Sequence, residues 1–258
     1  FSEGGSDYIV MEFVDGDNLE QTLTRVDDQG RQHQGRPLPA ETVVGYGISL
    51  CKVLEYLAAR TDPRTGQLTP IIHHDIKPAN VILDANSGEV RLVDFGTAKL
   101  RVSTSAFPGS MKQSSVYGTE GYAPREQYGG QSQPRSDVYA LAATLYHLLT
   151  DDDPRNHPFA FPQLAVLPVE LRKALEPALD QDVSQRPDAT GFRRLLEVWL
   201  DRRSAAKAAT PFVFGSGDQA RSVDELADVC DARWDKAREH LYKGDFARWL
   251  GGSLHRHD

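Results

Sequence analysis

Residues 73–99 read HHDIKPANVILDANSGEVRLVDFGTAK, and the rest of the chain is arranged around them. The stretch opens as a polar loop carrying Asp75, Lys77 and Asn80. Two apolar, β-branched runs follow, near Val81–Leu83 and Val90–Val93. The turn-forming Ala85-Asn86-Ser87-Gly88 separates them, so the spacing predicts a hairpin. Its second strand delivers Asp94-Phe95-Gly96. Taken singly, Asp75 and Asn80 are ordinary turn formers and Asp94 an ordinary cap. Together with Lys77 they place two carboxylates, an amide and an ammonium around one hairpin, which describes a site rather than a turn.

H-x-D-x-K-x-x-N followed by D-F-G resembles the catalytic core of protein kinases. The resemblance implies that Asp75 orients an acceptor hydroxyl and takes its proton, while Lys77 sets a cation at the transferring phosphate. It implies Asn80 and Asp94 as the metal ligands. Such oxygen donors suit Mg²⁺, which keeps water and phosphate oxygens around it. The implied cofactors are therefore ATP and Mg²⁺. A Lys two residues after the Asp is similar to Ser/Thr kinases rather than Tyr kinases. Gly118-Thr119-Glu120-Gly121-Tyr122-Ala123-Pro124 agrees, placing Thr119 with the Asp–Lys pair as a third catalytic residue. HHDIKPANVIL and GTEGYAP are closest in flavour to bacterial kinases of the eukaryotic-like group. Aminoglycoside-type small-molecule phosphotransferases share H-x-D-x-x-x-x-N but generally lack this Lys and the G-T-x-G-Y-A-P segment.

Upstream, Tyr8–Val14 is a strand-like run closed by Asp15-Gly16. In the kinase frame it resembles the last small-lobe strand entering the hinge. There the backbone of Glu12 and Val14 would bond the adenine edge and Met11 would sit behind the base. Asn18 either caps a short helix, Leu19–Arg25, or contacts the ribose. Residues 26–39 are polar and turn-rich, hence a surface loop. Apolar residues from Val43 to Leu57 recur at helical spacing within 40–60, and a phosphate-loop look-alike, GYGISL at 45–50, lies inside that helix and is discounted.

Downstream, Ser136–Thr150 is a helix apolar nearly all round and belongs in a core. A helix near Val169–Leu179 is interrupted by Pro177, and the last kinase-like helix runs Asp188–Leu200. Glu126 and Arg186 resemble the buried ion pair of kinases, Asp137 the tie to the catalytic-loop backbone, and His73 and Phe95 the packed spine. GSGDQA at 215–220 matches a dinucleotide fingerprint but opens no βαβ unit, so it reads as a turn. Ser222-Val223-Asp224-Glu225 has capping-box spacing. After it, Leu226, Cys230, Trp234, Ala237 and Leu241 form one helical stripe that needs something to pack on, either the kinase lobe or a partner, and Gly244 ends it.

The expected fold is mainly α within the α+β class: a kinase C-terminal lobe with a short hairpin at the catalytic loop, plus a C-terminal helical appendage. The expected division is a kinase region over 1–200, a linker over 201–221 and the appendage over 222–258. A net charge of −8 argues against general nucleic-acid binding, and no apolar run reaches the roughly 20 residues that span a bilayer. The isolated Cys51 and Cys230 fit a reducing, cytoplasmic setting. The expected partner is a protein substrate with a Ser or Thr acceptor, with a further partner possible for the C-terminal helix.

Two departures from the kinase pattern carry consequences. His74 replaces the Arg of H-R-D, and a neutral imidazole pairs poorly with a phosphate. Activity is therefore expected to depend little on phosphorylation of Ser103, Thr104, Ser105, Ser114 or Ser115. The chain also contains no glycine-rich phosphate loop and no V-A-I-K-like Lys ahead of the hinge. By itself it is expected to bind ATP weakly and transfer phosphate negligibly. The rival function is a pseudokinase or scaffold, which has no chemical need of Asp75, Lys77, Asn80 and Asp94 together.

Overall fold

The computed structural model describes residues 2–3, 6–7, 12–23, 25–26, 32–33, 35–95, 99–100, 118–208, 211–215, 217–220 and 223–249. They fall into two compact units, Phe1–Leu196 and Glu197–Asp258.

The first unit is built on two helices. Helix α2 (Ala40–Ala58) follows α1 (Leu19–Leu23) and buries Val43, Val44, Gly47, Leu50, Cys51, Leu54 and Leu57 along one stripe. At Gly47 a Cβ would lie 2.7 Å from Leu145 Cδ1, so the missing side chain is what lets α2 approach its neighbour. That neighbour, α4 (Pro134–Thr150), comes after the short α3 (Arg125–Tyr128). Pro134 starts α4 without wasting an N–H, Gln133 and Ser136 cap it reciprocally, and Asp151 ends it in a left-handed conformation, φ 57°. Every residue from Ser136 to Leu149 is buried. Phe161 packs edge-on against Tyr146 and Tyr139, with centroids 5.0 and 6.0 Å away. Helix α5 (Val169–Leu175) gives way to a 3₁₀ turn, Glu176–Leu179, because Pro177 has no N–H to continue the helix.

Strands are short. β1 (Ser2–Glu3) pairs with β2 (Ser6–Asp7), and β3 (Gly16–Asn18) leads into α1. β4 (Arg25–Val26) and β5 (Gln32–His33) pair antiparallel, so the polar stretch expected to be plain loop carries a small hairpin. β6 (Ile71–Ile72) pairs with β9 (Lys99–Leu100). The central hairpin is β7 (Val81–Asp84) and β8 (Val90–Leu92), in the register Val81↔Leu92 and Leu83↔Val90, with β3 on the outer side of β7. Its turn is held by Asp84, whose carboxylate accepts the Asn86 and Ser87 N–H groups, and by Gly88 at φ 69°.

The strand expected over 8–14 is not seen in its described part. Glu12–Val14 has no regular structure, and no strand among the described residues lies alongside to take up its backbone groups. Met11 and Tyr8 lie outside the described residues.

A buried ion pair ties α3 to the stretch that follows the 3₁₀ turn. Arg186 is 1% exposed and donates from Nη1 and Nη2 to Glu126 Oε1 and Oε2 at 2.6 and 3.0 Å. Ser136 Oγ adds a bond to Glu126 Oε1 at 2.7 Å, and the guanidinium stacks over Tyr139 at 4.9 Å.

Helix α6 (Ala189–Ala208) runs well past Leu200. Residues 201–221, expected as linker, instead supply its last turns and an antiparallel hairpin, β10 (Phe212–Val213) with β11 (Gln219–Ala220). Gly217, at φ 87°, makes the turn within the GSGDQA stretch. The hairpin is ordered because Phe212, Phe214 and Ala220 join Leu226, Ala237 and Phe246 in the second unit's own core. The single stripe expected after Ser222 is two helices, α7 (Val223–Ala232) and α8 (Trp234–Tyr242), followed by α9 (Asp245–Trp249). Arg233 breaks the run at φ −142° and turns the chain, leaving Trp234 and Leu241 exposed while Leu226 and Ala237 are buried. Cys51 and Cys230 are free thiols; Cys51 is buried and Cys230 half-buried.

Candidate active site

The catalytic-loop turn follows β6 and is bent to an unusual shape. His74 has φ 71°, and both His73 and His74 are buried. Their backbone N–H groups cannot reach a ladder partner, and the Asp137 carboxylate on α4 takes both, at 2.7 and 3.0 Å. Burial pushes the Asp137 carboxyl up to about 7, against the two N–H bonds that favour its charged form. The His73 ring accepts the Asp75 N–H at Nδ1 (3.4 Å), so Nε2 carries the proton and donates to the Val93 carbonyl (3.0 Å). Burial keeps His73 neutral by lowering its pKa, and Phe95 stacks edge-on at 4.7 Å. The ring is a brace between loop and hairpin.

Beyond that bend, the polar side chains converge. Thr119 Oγ1 donates to Asp75 Oδ1 at 2.6 Å, and Lys77 Nζ donates to Thr119 Oγ1 at 2.7 Å. Lys77 Nζ also stands 3.0 Å from Asp75 Oδ2, closing a triangle. The 3₁₀ turn Pro78–Asn80 swings Asn80 back under the loop. Its Nδ2 bonds both the Asp75 carbonyl (2.8 Å) and Asp75 Oδ2 (2.9 Å). Burial raises the Asp75 pKa, but the bonds from Thr119, Lys77 and Asn80 outweigh it and hold the carboxyl below its ordinary range. Asp75 is a carboxylate at neutral pH.

The hairpin brings Asp94 to the same edge. The Val93 N–H bonds the Asn80 carbonyl at 2.9 Å, so the residue after Val93 starts beside Asn80. Asp94 holds φ 62° and is exposed. With its amide nitrogen committed to Asp75, Asn80 has Oδ1 to offer a cation, and Asp94 offers a carboxylate. Among the described residues no group of three or more His, Cys, Asp or Glu could hold a metal ion. One amide oxygen and one carboxylate fit Mg²⁺ held chiefly by phosphate and water, and do not fit a metal held by protein alone.

Glu12 is exposed and Val14 half-buried; Met11 lies outside the described residues. Asn18 acts as a helix cap: Oδ1 accepts the Gln21 N–H and Gln21 Oε1 accepts the Asn18 N–H, both at 2.9 Å. Two further buried groups were not read from the sequence. Tyr122 bonds His147 on α4 through its hydroxyl at 2.6 Å, and Gln127 donates to the His74 carbonyl at 2.7 Å. No local pattern announces either one, because each partner lies far along the chain.

The family model described as "Protein kinase domain" matches residues 1–190. The chain belongs to the protein kinase family. Among its relatives, a probable serine/threonine-protein kinase of Streptomyces coelicolor is 39% identical over 145 residues, 55% of this chain and 18% of that protein. The serine/threonine-protein kinase PknA of a Nostoc species is 36% identical over 57% of this kinase chain and 23% of its own length. PknB of Mycobacterium leprae is 32% identical over 59% of this chain and 21% of its own. The kinase chain thus spans about a fifth of the length of the curated relatives it matches. None of its helices, among the described residues, is long and apolar enough to cross a membrane.

Proposed function

We propose that this chain supplies the catalytic floor for transfer of the ATP γ-phosphate to Ser or Thr hydroxyls of proteins. The observation that carries the reading is the Asp75–Lys77–Thr119 triangle, with Asn80 bonded to Asp75 from the other side. Asp75 orients the acceptor hydroxyl and takes its proton as the oxygen–phosphorus bond forms and the bond from the γ-phosphorus to the β–γ bridging oxygen breaks, releasing ADP. Lys77 sets positive charge beside the transferring phosphoryl group. Asn80 and Asp94 are the residues that would hold Mg²⁺, which supplies charge neutralisation on the phosphate oxygens when bound. Glu12 and Val14 would meet the adenine through their backbone; Asn18 caps its helix through Oδ1, and its side-chain NH₂ would be the group to reach the ribose.

The Lys77–Thr119 contact supports a Ser/Thr acceptor, and the Streptomyces and Nostoc relatives are named as serine/threonine-protein kinases. The test is phosphotransfer from γ-labelled ATP by the full-length protein to mixed protein substrates, followed by phosphoamino-acid analysis. Label on Ser and Thr is expected; label confined to Tyr, or to a small molecule, would overturn the assignment. The 258-residue chain carries no glycine-rich phosphate loop of its own, so its phosphotransfer in isolation is expected to be negligible.

His74 bears on regulation. It is buried and sits where an Arg would reach toward an activation-segment phosphate. Replacing Ser103, Thr104, Ser105, Ser114 and Ser115 by Ala together, all outside the described residues, should leave most of the full-length protein's activity in place. Loss of most of the initial rate in that variant would show that the segment needs its phosphate after all.

A further inference from the structure

The catalytic-loop turn is gripped from two sides. On one, Asp137 takes the N–H groups of His73 and His74. On the other, Gln127 on α3, 5% exposed, donates from Nε2 to the His74 carbonyl. The left-handed backbone of His74, φ 71°, is a conformation that a non-glycine residue keeps only where its surroundings over-determine it. Gly118 completes the junction. It holds φ 110°, and a Cβ there would lie 2.2 Å from Gln127 Nε2 and 2.8 Å from the His74 oxygen. Only a glycine backbone can lie that close to the amide.

The sequence positions make this junction informative. The residue after His74 is Asp75, and the residue after Gly118 is Thr119. The Thr119–Asp75 bond therefore spans two backbones, both of which lie against one side-chain amide. We propose that Gln127 is a positioning residue for phosphotransfer, its amide fixing the His74 carbonyl against Gly118 so that Thr119 and Asp75 stay in bonding register. Gln127 acts through the two backbones, and the proposal rests on the reading of Asp75 as the group that orients the acceptor. A purely structural Gln127 would contribute a satisfied buried hydrogen bond and nothing to the state of Asp75.

Gln127→Met keeps the length of the side chain and removes the donor. In the full-length protein, Gln127→Met should lower kcat roughly ten- to a hundred-fold, the scale expected for a small misplacement of reacting groups, with KM for ATP little changed. Thr119→Ala should lower kcat in the same way, and Gln127→Met should add little on top of Thr119→Ala. The Thr119 methyl signal, followed by NMR without turnover, should move in Gln127→Met, because Thr119 leaves its register with Asp75. An unmoved Thr119 signal, whatever happens to the melting temperature, would overturn the proposal. Gly118→Ala drives a methyl into the same amide and should move the Thr119 signal and lower kcat likewise, which keeps the test available if Gln127→Met folds poorly. An inactive full-length wild type would sink the phosphotransfer reading while leaving the Thr119 signal to decide the positioning role, so the two failures are distinguishable.

Discussion

Asn in place of Asp75 should slow phosphotransfer by the full-length kinase about 10²- to 10⁴-fold, the usual worth of a positioned general base. KM for ATP should stay close to the wild-type value, because Asp75 is bonded by protein donors and is not among the residues assigned to nucleotide or metal. The geometry sets the size of the effect. Asp75 Oδ1 accepts from Thr119 while Oδ2 accepts from Asn80 and lies 3.0 Å from the Lys77 ammonium. An amide has one oxygen, so its NH₂ must face a donor that the carboxylate accepted, and it has no basic lone pair for the acceptor's proton. Steady-state kinetics with both substrates varied will show the split. A variant retaining a third or more of the wild-type kcat would remove Asp75 from the chemistry. The pH profile carries the same signature: with its carboxyl held below the ordinary range, Asp75 stays ionised through neutrality, and activity is lost only as pH falls through that depressed value.

Arg186→Ala should lower the unfolding free energy of the kinase by about 3–5 kcal/mol, the cost of breaking a buried ion pair by removing one partner. Alanine removes both bonds to Glu126, the bond from Nε to the Asp180 carbonyl at 2.5 Å, and the stacking over Tyr139. The Glu126 carboxylate is then left half-buried, with the Ser136 hydroxyl still bonded to it but no cation beside it. Urea unfolding is the measurement; a loss within about 1 kcal/mol, the range of a surface ion pair, would show that the pair is not buried in solution. The pH dependence has a definite sign. Burial raises the Glu126 pKa, but the bonds from Arg186 and Ser136 outweigh it, so the folded value lies below the ordinary one. The pair's stabilisation is therefore fully present above the ordinary glutamate value and is lost as pH falls through the depressed one. Arg186→Ala should accordingly lose less stability on acidification than the wild type does.

Legibility followed distance along the chain. The hairpin at Val81–Leu92 and helix α2 were readable because a strand or helix writes its buried face into neighbouring residues. The same rule misled at Leu226–Leu241, where helical spacing runs through Arg233 although the chain turns there. It misled again at Glu12–Val14, since a run of strand formers says nothing about whether a neighbouring strand is present to pair with. Residues 201–221 looked like linker by composition, yet Phe212 and Phe214 were enough to fold a hairpin into a small core.

By itself the sequence determined the family and which polar groups lie near the hairpin: Asp75, Lys77, Asn80, Asp94 and Thr119, proposed here as the site, stand at intervals that one loop, one hairpin and one segment end can satisfy. Only the tertiary structure decided how those groups are held. Asp137 lies 63 and 64 residues from the amides it caps, and Gln127 lies 53 residues from the carbonyl it bonds. A hydrogen bond across such separations leaves no periodicity in the sequence, because it depends on how helices pack and not on the rise and turn of any one of them.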